Sequence, residues 1–535
     1  MLVTQSIIRK VLNFILLGSL AFPFITADNI SPRAHTEQGV YIGRQTKING
    51  TSVNYWYGIP YAQQPIGDRR WMPPKALSLA NGTWEATMPY VCPQKDSLIY
   101  QHTESCLTLN IYTPVNVNNI PVFVWIHGGS FIGGTAILYD ATPFVSVGVK
   151  HSTPVVFVTI NYRLGLLGFL ADEDLFDERS GIGNRSTTGN YGVLDQMMAL
   201  YWIKRNIHGF GGDPTQITIG GESAGGISVT VLLTSPLVIN GTFQRAIIES
   251  GNIWPVYAIT LENAINCTGK VLRPIVNCST VQCLRDLSVD EILDAQDMVA
   301  YKARCRMLVS PVIDSYVLKD TMENSYVKGD FQKVPILVGS NANETAFVTC
   351  TQFNETANVT QVEAFLKTLY NTTIINDINT IYGPIFDCKS PLTYLNIVYS
   401  DSWAHCGSRR IVSYFTNYGV SSFWYTYNHI LPVTPPCQGA FHVAELLMIF
   451  PFLVPYLYPH YSFSPLEEQL STNMILYWTN FIRTSDPNNG SNLTSWDNYR
   501  ASLDNDFVLD INLRMRTFYY NFTCSQLWDR YAVII

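Results

Sequence analysis

The sequence predicts an α/β fold, a large mixed and mostly parallel central sheet flanked by helices. Three observations carry that expectation. Pro121-Val122-Phe123-Val124-Trp125-Ile126 and Pro154-Val155-Val156-Phe157-Val158-Thr159-Ile160 are almost unbroken apolar runs, as strands covered on both faces require. Helical patterns separate such runs: residues 194–205 read as an amphipathic helix, and the alternating segment Gln216-Ile217-Thr218-Ile219 follows it. Upstream, short alternating segments broken by turn residues read as antiparallel strands leading into a doubly wound sheet.

Composition agrees with a heavily buried globular chain. Hydrophobic residues make up 47% and charged residues 14% of 535, which argues against disorder. The net charge is −7 with no basic block, so nucleic acid is not an expected partner. There is no internal repeat, low-complexity linker or charge block, and one domain over residues 28–535 is the simplest organisation.

Residues 1–27 read as a secretory leader: Arg9 and Lys10, an apolar stretch over 11–24, then Ala27 as a small residue for cleavage. No later stretch is long and apolar enough to span a bilayer. Asn-x-Ser/Thr sequons at Asn49, Asn81, Asn184, Asn240, Asn266, Asn277, Asn354, Asn358, Asn371, Asn489, Asn492 and Asn521 fit an extracellular glycoprotein. Eleven cysteines in an exported chain should mostly pair, and the odd count leaves one over. No Cys or His spacing resembles a zinc site, and no metal or organic cofactor is expected.

Along the chain, Gly39-Val40-Tyr41-Ile42-Gly43 and Val53-Asn54-Tyr55-Trp56-Tyr57 read as a paired hairpin. Residues 107–112 alternate as a strand. Short buried strands follow at 246–250, 335–339 and 423–427, with helical segments between them.

The chemistry centres on Gly220-Gly221-Glu222-Ser223-Ala224-Gly225-Gly226, between the strand at 216–219 and an apolar segment, 227–233, that continues as a buried helix. A strand, a sharp Gly-x-Ser-x-Gly turn and a helix present a serine at the apex of a strained turn, the nucleophile elbow of α/β-hydrolases. Gly221 and Gly225 meet the steric need for small neighbours, and the helix N-terminus aims N–H groups at charge forming beside Ser223. Glu222 competes for the role of the acid, but it sits beside the serine and points off the turn, and it is read as a first-turn helix carboxylate that shapes the pocket.

A serine hydroxyl needs a histidine to take its proton and an acid to orient that histidine. In this fold both follow the nucleophile in the chain. Glu344 lies just beyond the strand at 335–339, with Asp314 a weaker alternative. Of His405, His429, His442 and His460, His442 is best placed, in a loop expected to run into a helix at 443–447. The oxyanion needs preorganised donors. His127-Gly128-Gly129-Ser130 follows a buried strand, and the N–H groups of Gly129, Ser130 and Ala224 are the expected set, with His127 structural.

These residues resemble the type-B carboxylesterase family, which includes the cholinesterases. Phe210-Gly211-Gly212-Asp213-Pro214-Thr215-Gln216-Ile217-Thr218-Ile219-Gly220-Gly221-Glu222-Ser223-Ala224-Gly225 resembles the family's serine signature. Glu104-Ser105-Cys106-Leu107-Thr108-Leu109-Asn110-Ile111 resembles its second signature, with Ser105 where aspartate is usual. Asn161-Tyr162-Arg163-Leu164-Gly165, residues 189–196, 339–344 and Gly439-Ala440-Phe441-His442 match as well, so the resemblance spans about 36–530. It implies a triad of Ser223, Glu344 and His442, disulfides Cys92–Cys106, Cys278–Cys283 and Cys406–Cys524, and salt bridges Arg70–Glu104 and Arg163–Asp195. It leaves Cys267, Cys305, Cys350, Cys388 and Cys437 unassigned.

There are departures from the family pattern. Thr345 replaces the usual glycine after the acid, creating a sequon at Asn343 that burial should keep bare. Ser130 replaces a glycine or alanine, and its backbone N–H remains a donor. The Cys92–Cys106 loop is short and holds no tryptophan, so a choline-stacking residue is missing there. The expectation is a secreted serine esterase acting on small-molecule carboxylic esters. A lipase for long acyl chains, a hormone- or pheromone-processing esterase, and a non-catalytic neuroligin-like binding protein are the alternatives. Oligomeric state is not legible.

Overall fold

A computed structural model describes residues 31–532, apart from 96–100, 252, 254–257, 304, 306–308, 354–355, 388–389 and 489–492. The leader, Cys388 and the sequons at Asn354, Asn489 and Asn492 lie outside the described residues.

The strands are β1 (Arg33–Thr36), β2 (Gly39–Ile42), β3 (Arg44–Ile48), β4 (Thr51–Pro60), β5 (Thr83–Glu85), β6 (Thr108–Pro114), β7 (Ile120–Ile126), β8 (Val156–Ile160), β9 (Gly212–Glu222), β10 (Arg245–Glu249), β11 (Ile259–Thr260), β12 (Val312–Ile313), β13 (Ile336–Asn341), β14 (Ser422–Tyr427), β15 (Asn505–Leu509) and β16 (Arg514–Thr517). Eleven form one sheet in the order β16-β15-β14-β13-β10-β9-β7-β8-β6-β4-β3. Strands β8, β7, β9, β10, β13, β14 and β15 run parallel to their neighbours, and antiparallel pairs close both edges. The fold is the mixed, mostly parallel α/β-hydrolase sheet.

The apolar run of β7 feeds two cores because successive side chains face opposite ways. Val122, Val124 and Ile126 enter one cluster, while Phe123 and Trp125 enter the other. The helix Ala224–Thr234 is buried along its whole length, which its mostly apolar sequence permits because the Ser228, Thr230 and Thr234 hydroxyls donate to carbonyls of the helix itself. The helix Pro465–Thr484 starts at a capping box, Ser464 with Glu467, and has proline in its first turn. No described helix is long and apolar enough to cross a membrane.

The N-terminal hairpin differs from the expected one. β2 pairs with β1 and β5, whereas β4 pairs with β3 and β6. Asn49 and Gly50, with φ of 48° and 85°, make the tight turn that joins β3 to β4. That Asn-Gly dipeptide sets the pairing. Beyond His442 the chain makes turns through 445, and a short helix, Leu446–Ile449, starts later than expected. Val443 has φ of 71°, which no helix accommodates.

Disulfides join Cys92 to Cys106, Cys267 to Cys305, Cys278 to Cys283, Cys350 to Cys437 and Cys406 to Cys524. The Arg70–Glu104 and Arg163–Asp195 pairs are both formed.

Candidate active site

Four parallel strands deliver the site at their carboxyl ends, where open α/β sheets bind ligands. Ser223 follows β9, the Gly128–Phe131 turn follows β7, Glu344 follows β13, and His442 lies beyond β14.

Ser223 has φ 57° and ψ −124°, a strained conformation for a residue with a side chain. The turn is as tight as the glycines suggested. A Cβ on Gly225 would lie 1.9 Å from the Ile126 carbonyl oxygen, and one on Gly221 would lie 2.5 Å from it. The Ser223 N–H donates to the Glu249 carbonyl, 2.9 Å, and the Ser223 carbonyl accepts the Ile227 N–H, 2.8 Å, so strand and helix both hold the apex. The serine itself is half-buried.

Glu344 is fully buried and saturated with donors. It accepts from His442 Nδ1 (2.6 Å), Ser250 Oγ (2.5 Å) and the Asn341 N–H (2.7 Å). Burial pushes its carboxyl up, but the His442 imidazole, the Ser250 hydroxyl and the Asn341 N–H outweigh burial and hold it below its ordinary value. The Glu344 carboxylate accepts the Nδ1–H of His442 and so orients the imidazole, with Nε2 on its far side.

That Nε2 does not hydrogen-bond to Ser223. It lies 3.1 Å from Glu222 Oε1. The reading of Glu222 as a helix carboxylate pointing off the turn is therefore corrected. Glu222 is the last residue of β9, so strand alternation directs it and carries it under the imidazole. Burial first, then Glu344 and Glu249, raise its carboxyl well above the usual range. Glu249 pairs in register with Glu222 on the neighbouring parallel strand. Burial pushes Glu249 up to about 8, opposed by the Trp478 Nε1–H bond of 2.8 Å. Glu445, bonded to Asn341 Nδ2, is raised by burial and by the other three carboxyls.

On the β7 side, Gly129 has φ 108°, and Ser130 and Phe131 have φ of 55° and 61°. A Cβ on Gly128 would come within 3.1 Å of Ser223 Cβ, so this turn abuts Ser223. His127 Nδ1–H donates to the Gly128 carbonyl at 2.8 Å, and the His127 ring stacks on Tyr162 at 4.5 Å. Tyr162 in turn donates to the His127 carbonyl at 2.8 Å. Burial lowers His127 to about 4, so it is a neutral brace.

The other candidates lie elsewhere. Asp314 caps a turn, accepting the N–H groups of Tyr316 and Val317 (3.0 and 2.7 Å) and the Thr187 hydroxyl. His429 sits between Glu467 (3.3 Å) and Asp510 (3.4 Å), and His460 is exposed. His405 bridges Asp401 and the Asn341 carbonyl. The three cysteine pairs implied by the resemblance are formed, with two more beyond them.

Sequence reasoning did not single out Ser250, Glu249, Glu445, Phe347 or Trp403. Ser250 and Glu249 carried a usable signal, since they end the strand beside β9. Phe347, three residues after Glu344, carried another. Nothing local marked Glu445 or Trp403.

Comparison with known proteins bears on this arrangement. The model of the Carboxylesterase family matches residues 30–527. Carboxylesterase 5A of Felis catus is 32% identical over 88% of this chain and 89% of its own length. Cocaine esterase of Homo sapiens is 31% identical over 88% and 86%. Para-nitrobenzyl esterase of Bacillus subtilis (strain 168) is 28% identical over 87% and 93%. The solved structure of a thermophilic PNB esterase superposes with a TM-score of 0.79 at 27% identity, covering 93% of this chain and all of that one. The chain belongs to the carboxylesterase family and is a carboxylic ester hydrolase.

Proposed function

We propose that the protein is a secreted serine carboxylesterase that works through an acyl-enzyme with a Ser223–Glu344–His442 triad. The observation that carries this reading is the 2.6 Å bond between Glu344 and His442 Nδ1, beside a serine in strained elbow geometry. Ser223 Oγ attacks the ester carbonyl carbon while His442 Nε2 takes the hydroxyl proton. The oxyanion is stabilised by the N–H groups of Gly129, Ser130 and Ala224. The intermediate collapses, the carbon–oxygen bond to the alcohol breaks, and His442 returns the proton to the leaving oxygen. Water then repeats the sequence and releases the carboxylic acid. For this step Nε2 must turn from Glu222 to Ser223; catalytic bonds are commonly long or absent before substrate binds and tighten with it. The leader-like residues 1–27 and the five disulfides support secretion.

The test is hydrolysis of a short-chain p-nitrophenyl ester by the purified protein and by Ser223→Ala, with fluorophosphonate labelling. Turnover that disappears in the variant, with one label per chain on Ser223, is expected. A folded protein with neither turnover nor label overturns the triad and favours a binding role.

A further inference from the structure

The bond between Glu344 and His442 joins two loops from distant parts of the chain, and a covalent bond ties the same two loops together. Cys350 lies six residues after Glu344, in the helix Ala346–Phe353, and Cys437 lies five residues before His442. Their disulfide bridges a sequence separation of 87. It is one of the two pairs beyond those that the resemblance implies.

The acid end of this tether is firmly seated. The Thr345 N–H donates to Ser400 Oγ at 3.1 Å. His405 closes the π-helical turn Asp401–His405, and its Nε2 lies 2.8 Å from the carbonyl of Asn341, the strand residue whose N–H binds Glu344. Phe347 and Cys350 are three residues apart in one helix, so they share a face. The Phe347 ring stacks on the His442 imidazole, with centroids 5.3 Å apart and planes at 24°. The helix face that carries Cys350 is thus the face turned towards the histidine. Trp403, on the π turn, meets the imidazole edge-on from 5.0 Å.

The histidine end is different. Residues 428–441 form no helix or strand, only turns and one isolated β-bridge between Phe441 and Asn343. Hydrogen bonds hold the last residues of this stretch. The Asn343 N–H donates to the Ala440 carbonyl at 2.9 Å, the Ala440 N–H to Asn343 Oδ1 at 3.1 Å, and Asn341 Nδ2 to the Phe441 carbonyl at 2.8 Å. Val443, just beyond the histidine, has φ of 71°, which a β-branched residue keeps only where its surroundings impose it. The disulfide divides the irregular stretch, so only residues 438–441 lie between a covalent anchor and His442. A shorter free segment has fewer arrangements to lose when the imidazole is aimed.

We propose that the Cys350–Cys437 disulfide is a positioning element of the esterase, holding His442 in register with Glu344 so that opening the bond slows catalysis without unfolding the protein. The proposal rests on the triad given above. Its effect belongs in kcat, because the tether aims the proton-transferring group rather than binding the ester. The bond is open to attack from one side: Cys437 is half-buried, whereas Cys350 is buried. A dithiothreitol thiolate attacks Cys437 Sγ, the Sγ–Sγ bond breaks, and Cys350 leaves as a thiolate that takes up a proton. The reagent's second thiolate then releases Cys437 and closes the cyclic disulfide, so the protein gains the two electrons that the reagent loses.

The experiment compares Cys350→Ala/Cys437→Ala with Cys267→Ala/Cys305→Ala, which removes the other additional pair. For each, kcat and KM on p-nitrophenyl butyrate are measured below the thermal midpoint, and fluorophosphonate labelling counts intact sites. Loss of the tether should lower kcat about tenfold or more. KM should stay within about twofold, with one label per chain, and the control pair should keep kcat within about twofold. An unchanged kcat in the tether variant, or an equal loss in both variants, overturns the proposal. Should the tether variant not fold, wild-type protein in dithiothreitol decides the matter, with activity read before each aliquot is alkylated and its cysteines mapped. Loss of kcat in step with the opening of Cys350–Cys437 supports the tether. Full activity with that bond open, or loss in step with another pair, overturns it. No hydrolysis and no label on Ser223 in untreated wild-type protein would instead overturn the triad.

Discussion

The Nε2 atom of His442 lies 3.1 Å from Oε1 of Glu222. Two carboxyl groups therefore flank one imidazole with opposite tendencies: the Glu344 carboxyl is held below its ordinary value, while burial and then its acidic neighbours raise that of Glu222 well above it. Environments that push like groups apart assign different roles to them. In the proposed triad Glu344 is the orienting anion, and burial disfavours the charged form of Glu222.

Replacing Glu222 by glutamine should accordingly be mild. The amide keeps the shape and the uncharged state, so kcat/KM near neutral pH should stay within about tenfold of wild type. Steady-state kinetics on the p-nitrophenyl ester checks this; a loss beyond about a hundredfold would mean that Glu222 acts as an anion.

Glu344→Gln should behave in the opposite way. The amide cannot stabilise the imidazolium and can present its NH₂ group to Nδ1, which favours the wrong tautomer. A fall in kcat of about three to four orders of magnitude is expected with little change in thermal midpoint. Equal activity in this variant would remove Glu344 from the triad.

Glu249 sets a pH dependence of stability. Its folded value of about 8 lies above that of an unfolded glutamate, so between the two the folded state holds more protons than the unfolded one. Stability contributed by the neutral form is fully present below about 4.3, the unfolded value. It is lost as pH rises through the folded value of about 8. Glu249→Gln, which cannot ionise, should gain thermal midpoint relative to wild type on moving from pH 5 to pH 8.5. Scanning calorimetry at the two pH values decides it; a difference that does not change with pH would refute the neutral state.

Arg163 and Asp195 test the frame under the site. The guanidinium grips the carboxylate through Nε and Nη2, both at 2.7 Å, and Asp195 also accepts the Arg163 N–H at 3.1 Å. Both side chains are buried. Asp195→Asn leaves a buried cation without its counter-charge and should cost about 3–5 kcal/mol. Chemical denaturation of variant and wild type measures it, and a cost below about 1 kcal/mol would place the pair among exposed ones.

Much of the site was legible because its signals are local. Gly221 and Gly225 announce a turn that no side chain fits, and the distances to the Ile126 carbonyl bear that out. The apolar runs of β7 and β8 announce strands covered on both faces. The hairpin was misread because apolar alternation outweighed the Asn49-Gly50 dipeptide, a stronger signal of which strands turn into each other. Glu222 was misread because its neighbour starts a helix, although Glu222 itself still obeys the strand.

By itself the sequence determined the α/β class, the serine elbow and the glycine turn beyond β7. Each of these depends on residues within a few positions of one another, where backbone sterics and periodicity act. Only the tertiary structure decided that Glu222, Glu249 and Glu445 gather beside Glu344, that Cys267 joins Cys305 and Cys350 joins Cys437, and that Phe347 and Trp403 enclose His442. Those relations join residues far apart in the chain. Their energies come from burial and from charges brought together by strand order and by a π turn, and none of that is written in the spacing of neighbouring residues.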